Sequence, residues 1–145
     1  MIDIKTMEIF GDEIFSFKMP NHEEWEKKIK QIVMVEDNMD LHNHSTDPEE
    51  ECNLKARRTA WDSHLRYEAI KDLSDEITKI VYGLIKDQGY DAPRIRLIDC
   101  WINWYKKNNF AAPHFHGPGH LSIVYFVDVE KSNAEFIFHK QSSWQ

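Results

Sequence analysis

The apolar pattern of the chain changes period near Pro93, and that change limits the folds open to it. Before it, Ile70, Leu73, Ile77, Ile80, Val81, Leu84 and Ile85 recur every three or four residues. A helix turns once in ~3.6 residues, so these side chains form one broad stripe. The spacing predicts a helix over about 66–87. Gly89 suits its end, because glycine takes the left-handed conformation that closes a helix. After Pro93 the texture is different. Residues 94–105 read RIRLIDCWINWY, β-branched and aromatic with no Gly or Pro, which predicts a long strand. Residues 121–129 (LSIVYFVDV) and 135–139 (EFIFH) predict two more, with a turn between them. Helices followed by consecutive strands predict an α+β fold with a largely antiparallel sheet.

The N-terminal part adds to this plan. Ile2, Ile4, Ile9, Phe10, Ile14, Phe15 and Phe17 alternate loosely with polar residues, and Gly11-Asp12 is a turn signal. Asn21 can cap a following helix, with Glu24 at the capping-box distance. Trp25, Ile29, Ile32 and Val33 give that helix one apolar face. Residues 36–58 lack periodicity, and the acidic run 47–51 reads as a solvated loop. His42-Asn43-His44 reads as a polar loop, since nuclease motifs of that spelling are dispersed over a longer stretch. The 145 residues amount to one domain, with helical support over about 21–90 and strands over about 94–145.

Composition narrows the function classes. Hydrophobic residues make up 41% and aromatics 12%, enough for a core, so global disorder is excluded. Lys and Arg total 18 against 25 Asp and Glu, a formal net charge of −7. That balance disfavours nucleic acid held on a broad basic face and leaves room only for a local patch. No apolar run approaches the ~20 residues that span a bilayer, so no membrane partner is expected. The N-terminus is mixed and acidic, unlike a signal peptide. Cys52 and Cys100 are too far apart in sequence for a disulfide framework or a zinc pair, which fits a reducing cytoplasm.

The eight histidines matter by position. His114 and His116 alternate, so on an extended backbone both project to one face, with Phe115 on the other. Two imidazoles one pitch apart can share a metal ion, and imidazole suits iron, zinc, copper or nickel. Gly117-Pro118-Gly119 turns the chain, so His120 can swing back to the same centre. Without a cysteine partner the set does not read as a structural zinc site. Nucleophilic hydrolase chemistry has no support, for there is no GxSxG and neither cysteine lies in a known signature.

The stretch Tyr105-x-x-Asn108-x-Phe110-x-x-Pro113-His114-Phe115-His116 resembles the YxxGxxYxPHFD segment of prolyl-4-hydroxylase-like Fe(II)- and 2-oxoglutarate-dependent oxygenases. The longer pattern is similar to a smaller branch of these oxygenases found in phages and marine bacteria. That branch shows a Trp-x-Asn strand, then HxH, then an SGVYYV-like strand. Here they are Trp101-Ile102-Asn103, His114-Phe115-His116 and residues 122–127. Its upstream run into GWQS resembles Arg58-Thr59-Ala60-Trp61-Asp62-Ser63. The resemblance covers roughly residues 55–139.

The resemblance implies a double-stranded β-helix, or jelly roll, with Fe(II) held at one end and helices packed on it. It implies a dioxygenase that oxidises a small-molecule or protein substrate while 2-oxoglutarate decarboxylates to succinate. His114 stands at the first ligand. His116 stands where most of the superfamily has a carboxylate, which removes a negative charge from the metal's surroundings. His120 is the candidate third ligand. Tyr105 and Tyr125 are the candidate 2-oxoglutarate contacts, and no other side chain is assigned a catalytic role. Asn103 and Asp99 share a strand face with Trp101 and Tyr105, a pattern that suits a wet cavity wall or a solvated outer face. Ile123 and Ala134 stand where the branch has glycine, which narrows the space near the site. The implied setting is the cytoplasm of a bacterium or of a phage-infected cell.

Length departs from the pattern. A jelly roll needs about eight strands. Residues 94–145 hold some four to six strands at ~5–6 residues each. The family's distal His and the Arg that pairs with 2-oxoglutarate fall beyond residue 145. His139 comes too early for the first, and Lys140 lacks the fork of the second. The sequence is therefore expected to stop inside the jelly roll, with an open edge, exposed apolar strands and a tendency to form homo-oligomers. Two other readings stay open. One is a cupin-like barrel that binds metal through His114, His116 and His120 without 2-oxoglutarate. The other is a non-catalytic jelly-roll interaction module, as in a virion.

Overall fold

The computed structural model describes residues 2–39, 54–91, 94–114, 121–129 and 135–139. His42, His44, the acidic run 47–51, Cys52, His116, His120 and Lys140 lie outside the described residues.

The chain opens with a hairpin of β1 (Ile4–Ile9) and β2 (Asp12–Phe17), paired antiparallel from Ile4↔Phe17 to Ile9↔Asp12. Its loop is therefore Phe10-Gly11, one residue earlier than the Gly11-Asp12 turn that the sequence suggests. Both loop residues have positive φ, 56° and 94°, the pattern of a type I′ turn. That turn's twist matches the twist of the strands, which outweighs the strain of a left-handed Phe10.

Helix α1 (His22–Met39) follows. Asn21 enters it at φ 54°, where its carbonyl accepts from the N–H groups of Glu24 (3.0 Å) and Trp25 (3.2 Å). The side-chain capping box expected at Asn21 calls for an extended residue, so the left-handed Asn21 begins the helix differently. Glu23 and Glu24 in the first turn complement the helix dipole. A short helix, α2 (Ser63–Arg66), leads through an extended Tyr67 into α3 (Glu68–Asp87). The end of α3 is a Schellman motif. Gly89 at φ 83° donates to the Lys86 carbonyl, and Tyr90 donates to the Ile85 carbonyl.

The two long helices bury their apolar faces together. Trp25 and Ile29 of α1 meet Ile70 and Leu73 of α3, and Met19 closes one side. Ile32, Val33, Ile77 and Ile80 extend the contact. Glu36 lies among the buried residues of α1, and a buried carboxylate is costly unless it accepts hydrogen bonds. The Tyr67 hydroxyl donates to it. Burial and that hydrogen bond push the Tyr67 hydroxyl up to about 12.

The third layer is a broken ladder. β3 (Leu54–Lys55) and β4 (Arg57–Arg58) pair antiparallel with β6 (Phe110–Ala111) and β5 (Asn103–Trp104). Lys55 stands opposite Phe110, whereas Arg57 stands opposite Trp104. Residues 105–109 are thus set out of the ladder against the single residue Ala56. The extruded loop closes on itself. Asn109 N–H donates to the Lys106 carbonyl (2.9 Å), Lys106 N–H donates to Asn109 Oδ1 (2.7 Å), and Asn108 is left-handed at φ 67°. The long strand expected over 94–105 forms a ladder only at its C-terminal end; residues 94–99 carry no strand pairing.

Residues 121–129 and 135–139, expected as strands, also carry no ladder among the described residues. Their side chains still alternate. Tyr125 and Val127 pack on the helical core, while Phe126 turns out to meet Phe136, with ring centroids 5.7 Å apart. Phe136 in turn meets Phe138 at 5.0 Å. Leu121, Ile123, Val124, Phe126 and Ile137 are exposed. The arrangement is one of helices with short antiparallel strands. No described helix is long and apolar enough to cross a membrane.

Candidate functional site

The site is built on the seam where residues 57–63 meet residues 100–104. Thr59 N–H donates to the Ile102 carbonyl (3.0 Å), and Ile102 N–H donates to Thr59 Oγ1 (2.9 Å). One residue group further, Cys100 N–H donates to the Trp61 carbonyl (2.8 Å) and Ser63 N–H to the Cys100 carbonyl (3.0 Å). Thr59 and Ser63 are fully buried, and Ser63 Oγ lies 2.6 Å from Thr59 Oγ1 and 2.7 Å from the Ala60 carbonyl. Each hydroxyl has one proton, and a carbonyl can only accept. Ser63 Oγ donates to Thr59 Oγ1 and toward the Ala60 carbonyl, and Thr59 Oγ1, which also accepts from Ile102 N–H, donates to the Ala60 carbonyl at 3.4 Å. Every proton of the relay has an acceptor.

The seam has two faces, as a strand must. Cys100 and Ile102 pack inward on the helical core. Burial pushes the Cys100 thiol up, against a smaller lowering by the Ser74 hydroxyl, which keeps it a poor nucleophile. Trp104, on the same side, donates its indole N–H to Asp37 at 3.2 Å. Asp37 also accepts from Arg57 and lies 3.5 Å from Lys106 Nζ. The Arg57 hydrogen bond, then that of Trp104, holds the Asp37 carboxyl below its usual range. One carboxylate thus fastens α1 to β4, β5 and the extruded loop.

The other face carries Trp101, Asn103 and Tyr105. Trp101 meets Trp61 edge to face, with centroids 4.3 Å apart. The Arg58 guanidinium lies over the Trp61 ring at 4.1 Å, a cation–π contact. Asn103 is opposite Arg58 in the ladder. Burial pushes the Tyr105 hydroxyl up, partly offset by the nearby Asn103 side chain, so at neutral pH Tyr105 keeps its proton.

The chain then passes through β6 to His114. His114 Nδ1 is 2.8 Å from the Ala112 carbonyl. A carbonyl cannot donate, so Nδ1 carries the proton and the lone pair rests on Nε2. Metal-binding histidines are oriented in this way, by a hydrogen bond from the ring nitrogen that does not bind the metal. His114 therefore fits a metal ligand in both tautomer and exposure. Among the described residues, no three His, Cys, Asp or Glu side chains gather closely enough to hold an ion. The other candidate ligands, His116 and His120, lie outside the described residues.

Tyr125 sits elsewhere, against α1. Its hydroxyl is 2.7 Å from His22 Nδ1, and the two rings meet edge to face at 5.7 Å. Burial, then Glu26 and Glu76, push its hydroxyl up. Sequence reasoning missed the His22 partner and the Asp37 hub, because nothing in a helical repeat marks which polar residue meets a strand. The Arg58–Trp61–Trp101 stack had a signal in the motif that joins Arg58 to Ser63, but its partner strand could be named only from the fold. No protein-family model, curated protein or solved structure matches the chain.

Proposed function

We propose that the chain is an Fe(II)- and 2-oxoglutarate-dependent dioxygenase domain built on a double-stranded β-helix. The observation that carries this reading is the Nδ1 hydrogen bond of His114 to the Ala112 carbonyl. It leaves Nε2 as the metal-binding nitrogen at the position where the resemblance expects the first ligand. A second support is spatial. The two sequence words that carry the resemblance, Arg58 to Ser63 and Trp101 to Asn103, pair with each other across the seam. The same seam delivers the chain to His114 through β6.

In this reading His114, His116 and His120 hold the metal. Iron with 2-oxoglutarate supplies the oxidising chemistry, in which oxygen is consumed, 2-oxoglutarate becomes succinate and carbon dioxide, and a substrate C–H bond is oxidised. The protein's own residues orient and shield. Tyr105, protonated at neutral pH, donates a hydrogen bond to a 2-oxoglutarate carboxylate. Tyr125 is engaged by His22 and serves the helical packing, which leaves the co-substrate contact to Tyr105. The Thr59–Ser63 relay keeps the Trp101–Tyr105 wall in register.

Succinate release tests the reading. Purified protein with Fe(II), ascorbate and 2-oxoglutarate should form succinate even without substrate, as slow uncoupled turnover. His114→Ala should abolish it, and Tyr105→Phe should raise the KM for 2-oxoglutarate with a smaller effect on kcat. Iron binding with no succinate would reject this reading and favour the cupin-like one.

A further inference from the structure

Residues 121–129 (LSIVYFVDV) carry no ladder, and their backbone groups make no backbone hydrogen bond among the described residues. Such a segment is an open template for another strand. Its own chain covers only half of it. The Tyr125 hydroxyl lies 2.7 Å from Nδ1 of His22, the first residue of α1, and Asp128 pairs with Lys30 at 2.6 Å. Helix α1 therefore starts beside Tyr125 and runs on past Asp128, with Tyr125 and Val127 packed on the core. Leu121 and Ile123 alternate to the same side, yet they are 51% and 47% exposed, because α1 begins only at Tyr125.

The segment is its own complement. Laid antiparallel on a second copy about a two-fold axis at Tyr125, it sets Leu121 opposite Val129, Ile123 opposite Val127 and Val124 opposite Phe126. Apart from Tyr125 on the axis, its polar residues are Ser122 and Asp128, and these then meet each other. A slip of one residue sets both against apolar partners and puts one copy's inward face beside the other's outward face. A slip of two sets either Ser122 opposite Phe126 or Asp128 opposite Val124. Parallel pairing in register stacks Asp128 on Asp128, and like charges directly opposite destabilise a sheet. Asp128 is half exposed and already held by Lys30, so the partner's hydroxyl adds a hydrogen bond without burying an unpaired charge.

We propose that residues 121–129 pair antiparallel with the same residues of a second copy and join two chains into a symmetric dimer. The axis lies at Tyr125, where each α1 begins, so the two helices lead away from each other. Ile123 stands opposite Val127 of the second copy, whose α1 then adjoins the half of the segment that its own chain leaves open. The interface is isologous, so each contact occurs twice. Phe136 packs beside Phe126 and so places residues 135–139 along one edge, which leaves the other edge to the second copy. This pairing gives a surface and a register to the homo-oligomer expected of an open apolar edge. It uses none of His114, His116 and His120 and stands apart from the dioxygenase reading.

Sedimentation equilibrium of the full chain, without metal, should show a reversible monomer–dimer equilibrium. Ser122 is exposed, so its substitution leaves folding untouched, as circular dichroism should confirm. Ser122→Lys puts a cation opposite Asp128 at two symmetric positions and should tighten the dimer about threefold to tenfold. Ser122→Glu puts a second carboxylate there and should weaken it by a similar factor. High salt should bring the two variants together. A monomer at every concentration up to its solubility overturns the proposal. So does a dimer that both variants weaken alike, which marks a parallel pairing. A dimer that neither variant alters also overturns it, and its loss in Phe136→Ser would then mark stacked sheet faces. Dimerisation without succinate formation rejects only the dioxygenase reading. Succinate formed by a chain that stays monomeric rejects only the pairing proposed here.

Discussion

A buried hydroxyl must give its proton to an acceptor or lose the hydrogen bonds that water would have offered. Thr59 and Ser63 meet that demand together: Thr59 Oγ1 accepts from Ile102 N–H and from Ser63, and the Ala60 carbonyl accepts from both hydroxyls. Thr59→Val keeps the shape and removes the middle of the relay. It leaves the Ile102 N–H unpaired beside the fully buried position 59, so it should destabilise the fold by about 1–3 kcal/mol. Urea denaturation should show a lower midpoint with an unchanged slope. Little of this was legible beforehand. Thr59 and Ser63 stood out only as letters of a family-like word, since a Ser or Thr gives no sign of its burial. His114 was legible as a candidate ligand from its spacing to His116, but the hydrogen bond that sets its tautomer was not, because that depends on the local course of the chain at Ala112.

At the scale of elements, the helices were readable because their signals are local. The α3 stripe, Ile70 through Ile80, is buried on the core, and Gly89 closes the helix as the sequence suggests. Gly89→Ala should cost about 1 kcal/mol, since an L-residue resists φ 83°. Open space surrounds the position where a Cβ would sit, so the loss is one of backbone conformation and not of packing. Circular dichroism should show a few degrees lower Tm with the helical signal retained. Asn21 shows the limit of such reading, because a good capping residue entered the helix left-handed and offered its carbonyl. The strands were harder. β-branched and aromatic residues over 94–105 announce extended chain, but a strand is completed by its partner. That partner, residues 54–63, lies some 45 positions upstream in a stretch without periodicity. The register jump that extrudes residues 105–109 has a local trace, the Lys-Lys-Asn-Asn run, which suits a turn.

At the scale of the molecule, helices α1 and α3 form a base, the seam between residues 57–63 and 100–104 lies on it, and the Asp37 hub ties the two together. The seam turns Cys100 and Ile102 inward and leaves Trp101, Asn103 and Tyr105 outward. It then leads to His114, so a wall of aromatic and polar groups adjoins the candidate metal-binding segment in sequence and in the ladder. Tyr125 and Val127 pack on this base, while Leu121, Ile123, Val124, Phe126 and Ile137 remain exposed. The central claim is that His114 binds Fe(II) through Nε2 beside a 2-oxoglutarate site. Its most direct test is the anaerobic absorption spectrum of the protein titrated with Fe(II) and then with 2-oxoglutarate. A weak visible charge-transfer band should grow to one equivalent with the wild type and be absent with His114→Ala, whose circular dichroism should match the wild type. Bound iron with no band on adding 2-oxoglutarate, or the same band in His114→Ala, would contradict the account.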